Sequence, residues 1–139
     1  MSRAAIHKDE FTPFGLWIKE YVDSFMTVTN IDYFCLKVIG NDVYTMLIEE
    51  KTNNGICTKA QKMALRFIND QLKTNNGVDY NFNMFGSKKI VYWGFFILRF
   101  QKGKTMPGPG MTLNDVEITS EQLSDHLGFK SKFCDGMFV

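Results

Sequence analysis

At 139 residues the chain is long enough for one domain with a real core, and a 45% hydrophobic, 22% charged composition is that of an ordinary globular protein. A net charge of +1 excludes a globally basic nucleic-acid binder, so any phosphate contact has to come from a local patch. No apolar run approaches the roughly 20 residues of a membrane span, and three cysteines without CxxC spacing point to a reducing compartment, here expected to be the cytoplasm.

Residues 1–10 read as a short lead-in without the apolar stretch of a signal peptide. Thr12-Pro13 offers a cap with Pro at the first helical position, and Phe14, Trp17, Ile18, Tyr21, Val22 and Phe25 recur at helical spacing, which predicts an amphipathic helix from Pro13 to Phe25 packed on a sheet. Glu20 lies on this helix, close to its apolar side. Met26 to Thr29 is a short β-prone piece. Two longer β-prone runs follow, 31–39 and 43–51, separated by the hairpin signal Gly40-Asn41-Asp42. With Gly40-Asn41 as a two-residue loop, Ile39 pairs with Asp42 and Asp32 falls opposite Glu49 on one face. A three-residue loop would put Glu50 opposite Asp32 instead. In either register two carboxylates meet, with Lys51 near them, because alternate strand residues share a face.

Adjacent carboxylates repel, so a fold that keeps them together needs a cation. Lys51 supplies part of that charge, and Mg²⁺, or Mn²⁺ in its place, would supply more, since such ions are held by one or two carboxylates with waters and substrate phosphates. Asp…Glu-x-Lys on a hairpin therefore reads as a phosphodiester-cleaving site. These residues, with the helix that follows, resemble the PD-(D/E)XK nuclease superfamily, over roughly residues 13 to 101. Ile31 stands where the name has Pro. The resemblance implies an α/β fold with a restriction-endonuclease-like core, a mixed central β-sheet flanked by helices. It implies Asp32 and Glu49 as metal ligands, with the main chain of Glu50 as a further one, and Lys51 as the catalytic cation. It also implies that Glu20 can add to the metal site, against the plainer reading of a solvated helix glutamate.

Thr52-Asn53-Asn54-Gly55 leaves this site directly, so Asn53 either touches a phosphate or only forms a turn. Thr58 caps a predicted helix over 59–73 whose apolar face is Ala60, Met63, Ala64, Phe67, Ile68 and Leu72. Its other side carries Lys59, Lys62, Arg66 and Lys73, a stripe that is either solvated or meets phosphates near the helix start. Gln61, in the first turn, is where several branches of the superfamily place a glutamine that contacts substrate or water. Residues 78–85 alternate loosely, as a strand or an extended loop. Gly86-Ser87-Lys88-Lys89 reads as a turn whose Lys88 and Lys89 are solvated or phosphate-facing. The run 90–100 is apolar throughout and predicts a central strand, parallel to 43–51 across the helical connection. After the Gly/Pro-rich 103–110 come a short edge strand at 115–118 and a helix over 121–127, capped by Thr119 or Ser120 and closed by Gly128. Residues 103–139 are expected as an extension of the single domain, packing back or mediating association. His7 and His126 lack partners at ligand spacing, so no zinc site is expected.

The combined expectation is a small Mg²⁺-dependent deoxyribonuclease that is structure-selective or auxiliary. It would be of phage type or like the Holliday junction resolvases, act on DNA, with a homodimer as one arrangement, and work in a bacterial or phage-infected cell. The alternatives are an inactive nucleic-acid-binding version of the fold and a phage structural or interaction protein.

Overall fold

A computed structural model describes residues 13–21, 31–51 and 55–138. Among them, six strands form one mixed sheet flanked by helices. In chain order the elements are α1 (Pro13–Tyr21), β1 (Tyr33–Ile39), β2 (Asp42–Lys51), α2 (Lys59–Thr74), β3 (Asp79–Asn81), β4 (Ser87–Arg99), β5 (Thr112–Leu113), β6 (Val116–Glu117) and α3 (Ser120–Leu127). The strand order is β1-β2-β4-β5-β6, with β3 beside the start of β4. The expected strand at 26–29 falls outside the described residues.

The β1–β2 hairpin turns on Gly40, at φ +61°, and Asn41, with Ile39 opposite Asp42 as the two-residue loop requires. From there α2 carries the chain across to β4, which pairs parallel to β2. β4 is the longest strand, and Phe95, Phe96, Ile97 and Leu98 are buried on both of its faces. One extra β4 residue is accommodated where Thr45 pairs with Tyr92 but Leu47 pairs with Phe95. Gly94 sits in this bulge at φ +123°, and a Cβ built on it would lie 2.9 Å from the Cα of Gly136. The C-terminal tail is thus seated backbone to backbone on the bulge, with Met137 N donating to Phe95 O at 2.8 Å.

Two cores lie on the two faces of the sheet. Under α2 are Leu47, Cys57, Leu65, Tyr92, Phe95 and Ile97. On the other face Met46, Ile48, Phe96 and Leu98 meet Met111, Leu113, Ile118, Leu123 and Phe129. The segment after 103, expected as an extension, therefore builds half of the second core. His126 belongs to it: the ring is fully buried against Phe96 and Trp93, with Nδ1 accepting from Phe133 N at 3.0 Å.

Two expected faces differ. The buried side of α2 is Gln61, Leu65 and Asn69, while Met63 and Phe67 are exposed. The helix is rotated because Asn69 reaches into the sheet to accept from the Tyr92 hydroxyl at 2.6 Å. On α1, Phe14 stacks on Trp17 and Trp17 meets Tyr21 at a tilt, yet all three stay exposed, so they are not buried on the sheet. The expected continuation of α1 to Phe25 lies outside the described residues. No helix among the described residues is long and apolar enough to cross a membrane.

Candidate functional site

The hairpin register decides what the exit of β2 looks like. Extending the pairing from Tyr33 and Ile48 brings Asp32 beside Glu49. The two residues are locked through main chain: Asp32 N donates to Glu49 Oε1 at 3.1 Å, and Glu50 N donates to Asp32 Oδ2 at 2.7 Å. Each carboxylate so has one oxygen held by an amide. Glu49 Oε2 is buried and has no hydrogen-bond partner. An ionised carboxylate oxygen in that state is strongly disfavoured unless a proton or a cation meets it.

The electrostatics follow from this geometry. Glu49 is 1% exposed, and burial pushes its carboxyl up to about 7. The amide of Asp32 pulls it down, the Asp32 carboxylate raises it, and the Lys51 ammonium lowers it. Lys51 lies two residues on, on the same face of β2, and is itself only 5% exposed. Charged groups at the exit of a strand are usually solvated. Here both are buried, on an inner strand of the sheet. Glu50 points to the other face, half-buried, and accepts from the Tyr33 hydroxyl at 3.2 Å.

Two further side chains join this cluster. Arg99 ends β4 directly beside Lys51 in the parallel register, and its Nη1 donates to the carbonyl of Gly55 while Nε lies 3.8 Å from Asp115 Oδ1. Cys57 is buried next to them, and burial raises its thiol pKa. The charges of Lys51, Glu49, Arg99 and Lys62 all bear on Cys57, so these five groups share one neighbourhood. Sequence reasoning missed Arg99 and Cys57. Arg99 had a signal: it is the one charge in the apolar run 90–100, and a parallel strand puts it at the same end as Lys51. Cys57 had none.

The helix that follows is fixed by a capping box. Gln61 N donates to Thr58 Oγ1 and Thr58 N to Gln61 Oε1, each at 3.1 Å. Gln61 is thus not a plain surface residue: it is buried, with its carbonyl oxygen accepting from the cap. Lys59, Lys62 and Arg66 are exposed on α2, with Arg66 Nε 3.9 Å from Asp70 and its guanidinium over the Phe138 ring at 5.6 Å. Lys62 is the one of the three whose charge reaches the Cys57 cluster.

Other candidates lie elsewhere. Lys88 and Lys89 are in β4 rather than in a turn. Lys89 pairs with Asp42 and bonds to Asn41 O, at the hairpin-turn end of the sheet. That is the length of β2 away from Lys51, about 30 Å at strand rise, so neither lysine belongs to this site. Among the described residues the charges of Asp32 and Lys51 bear on Glu49, and Glu20 is exposed on α1. Asn53 falls outside the described residues. Among the described residues no group of three or more His, Cys, Asp or Glu is arranged around a metal. The carboxylates at this place are two, which is within what Mg²⁺ commonly takes from a protein. No family model matches the chain, and neither does any curated protein or solved structure.

Proposed function

We propose that the chain is a metal-dependent deoxyribonuclease of the PD-(D/E)XK type, with its site at the exit of β2. The observation that carries this reading is the orphaned Oε2 of Glu49, buried beside Asp32 and Lys51. Asp32 and Glu49 would hold Mg²⁺ or Mn²⁺, which supplies a polarised phosphate and a bound water of lowered pKa. The chain's own residues do the rest. Lys51, fixed by burial on the face of Glu49, orients the attacking water and opposes the charge that grows on the phosphate oxygens. Lys62, at the start of α2, draws the neighbouring phosphate, helped by the positive end of the helix dipole. Lys59 and Arg66 extend that contact outward along the helix. The enzyme is read as structure-selective or auxiliary, acting in a bacterial or phage-infected cell, and two cuts call for a homodimer.

The test is a gel assay on linear, nicked, branched and single-stranded DNA with Mg²⁺, Mn²⁺ or EDTA. Cleavage that requires metal and disappears in Lys51→Ala is expected; cleavage in EDTA, or full cleavage by Lys51→Ala, refutes the assignment. One observation favours a second reading. Asp32 and Glu49 each give an oxygen to the main chain, as a purely structural clamp on the hairpin would. In that case the protein grips DNA through Lys59, Lys62 and Arg66 without cutting it, and binding survives in EDTA with no cleavage under any metal.

A further inference from the structure

A cavity lies on the α2 side of the sheet, at the far half of that helix. Its volume is about 300 Å³, at the small end of ligand-binding cavities. Asn69, Lys73 and Asn76 come to it from α2 and its C-terminal turn, Tyr92 from β4, and Lys132 and Asp135 from the C-terminal tail. Asn69 is completely buried. Burial raises the pKa of the Tyr92 phenol, so it stays protonated and donates to Asn69 Oδ1 at 2.6 Å. That leaves the Asn69 amide nitrogen, Nδ2, buried at the cavity with no hydrogen-bond partner. Native proteins rarely leave such a donor unmet. Asn76 repeats the pattern in a milder form: its Oδ1 accepts from Tyr92 N at 2.8 Å, which turns its amide N–H₂ into the end that remains.

The polar inventory is one-sided. Two amide N–H₂ groups and the ammonium groups of Lys73 and Lys132 are donors, with Lys73 Nζ also donating to the exposed Phe138 O at 3.4 Å. The one carboxylate is that of Asp135, whose side chain is 89% exposed and pairs with Lys132 at 3.7 Å. An ion pair so exposed is weak and opens readily. The Tyr92 ring adds a flat wall. A donor-rich, cationic cavity with an aromatic side selects a ligand that carries acceptors, negative charge and a planar part.

We infer that this cavity binds a phosphorylated ligand of mononucleotide size, its phosphate between Lys73 and Lys132 and an acceptor atom on the Asn69 amide. It is separate from the hairpin site. Asn69 lies eight residues beyond Gln61 on α2, about 12 Å along the helix axis. The inference does not rest on cleavage there. The phosphate can belong to a free nucleotide or to the 5′ end of a strand.

Calorimetric titration in EDTA distinguishes these. The probes are dTMP, thymidine, inorganic phosphate, and a short oligonucleotide with and without a 5′ phosphate. Binding of dTMP is expected, with thymidine at least tenfold weaker. Lys73→Ala/Lys132→Ala, both at solvent-facing positions, should weaken dTMP at least tenfold. Asp135→Asn, which removes the opposing charge, should tighten it. Asn69→Asp should abolish it, and the lysine pair keeps the test decisive if that variant does not fold. Binding of dTMP but not of the phosphorylated oligonucleotide supports a free nucleotide as the source, and equal binding of the two shows that the cavity takes the phosphate from either. Binding of the phosphorylated oligonucleotide alone supports a strand end. Failure of the parent to bind either phosphorylated probe, or binding unchanged in the double lysine variant, overturns the inference. So does loss of binding in Lys51→Ala, which would put the ligand at the hairpin instead. The cleavage assay can fail while this titration succeeds, and the reverse.

Discussion

Replacing Glu49 by Gln should change how stability depends on pH, and the sign can be worked from two buried groups. Glu49 has its carboxyl raised from 4.5 to about 7, chiefly by burial. The folded state therefore holds this proton more tightly than the unfolded chain, and its contribution to stability falls as pH rises from 4.5 to 7. His126 does the reverse. Burial, helped by Lys132, lowers its pKa from 6.5 to about 4, so the unfolded chain takes up the proton first. Its contribution is complete above pH 6.5 and is lost as pH falls towards 4. Each effect is worth about 1.4 kcal/mol per pH unit where it operates, and roughly 3 kcal/mol in all. Between pH 4.5 and 6.5 the two slopes oppose one another and nearly cancel in the parent protein. In Glu49→Gln only the His126 slope remains. Urea unfolding in EDTA, followed by fluorescence, should show a parent nearly flat over that range and a variant that gains about 1.4 kcal/mol per pH unit. Above pH 7 the variant should exceed the parent by up to about 3 kcal/mol. Mg²⁺ at about 100 times its Kd should close most of that gap, since a metal that binds only the folded protein then stabilises it by about 2.7 kcal/mol. Parallel profiles for parent and variant would refute the burial argument for Glu49, and equal metal effects in both would refute its role as a ligand.

Lys62→Ala/Arg66→Ala should weaken DNA binding and reduce the slope of log K against log salt by about two, one for each lost phosphate contact; an unchanged slope assigns these side chains to solvent. Gly94→Ala should destabilise by about 3 kcal/mol, because φ +123° strains an L side chain and the new Cβ would sit 2.9 Å from Gly136 Cα. A melt within about 2 °C of the parent would show that the tail is not seated on the bulge. Lys51→Ala should abolish metal-dependent cleavage while also altering stability, since this side chain is buried rather than solvated. Cleavage and urea unfolding measured on one preparation separate the two effects.

The part of the site that the amino-acid sequence determined by itself is the part governed by local rules. Gly40 takes the left-handed turn, a two-residue loop sets Ile39 against Asp42, and a period of two then carries the pairing out to Asp32 and Glu49. The start of α2 is local in the same way, since Thr58 and Gln61 satisfy each other's amides three residues apart. The parallel partner of β2 was also legible, because an apolar run as continuous as 90–100 must be buried on both faces. Only the tertiary structure decided the rest. Glu49 and Lys51 read as solvated charges in isolation and are buried because distant elements close over β2. Arg99 and Cys57 join them from 48 and 6 residues further on than Lys51, through strand pairing and loop packing. The helical face of α2 is rotated by a hydrogen bond from Tyr92 to Asn69, and half of the second core comes from the tail beyond 103. Local spacing dictates which residues share a face. It cannot say what lies against that face, because burial and the pKa of a carboxyl depend on atoms the chain brings in from far along its length.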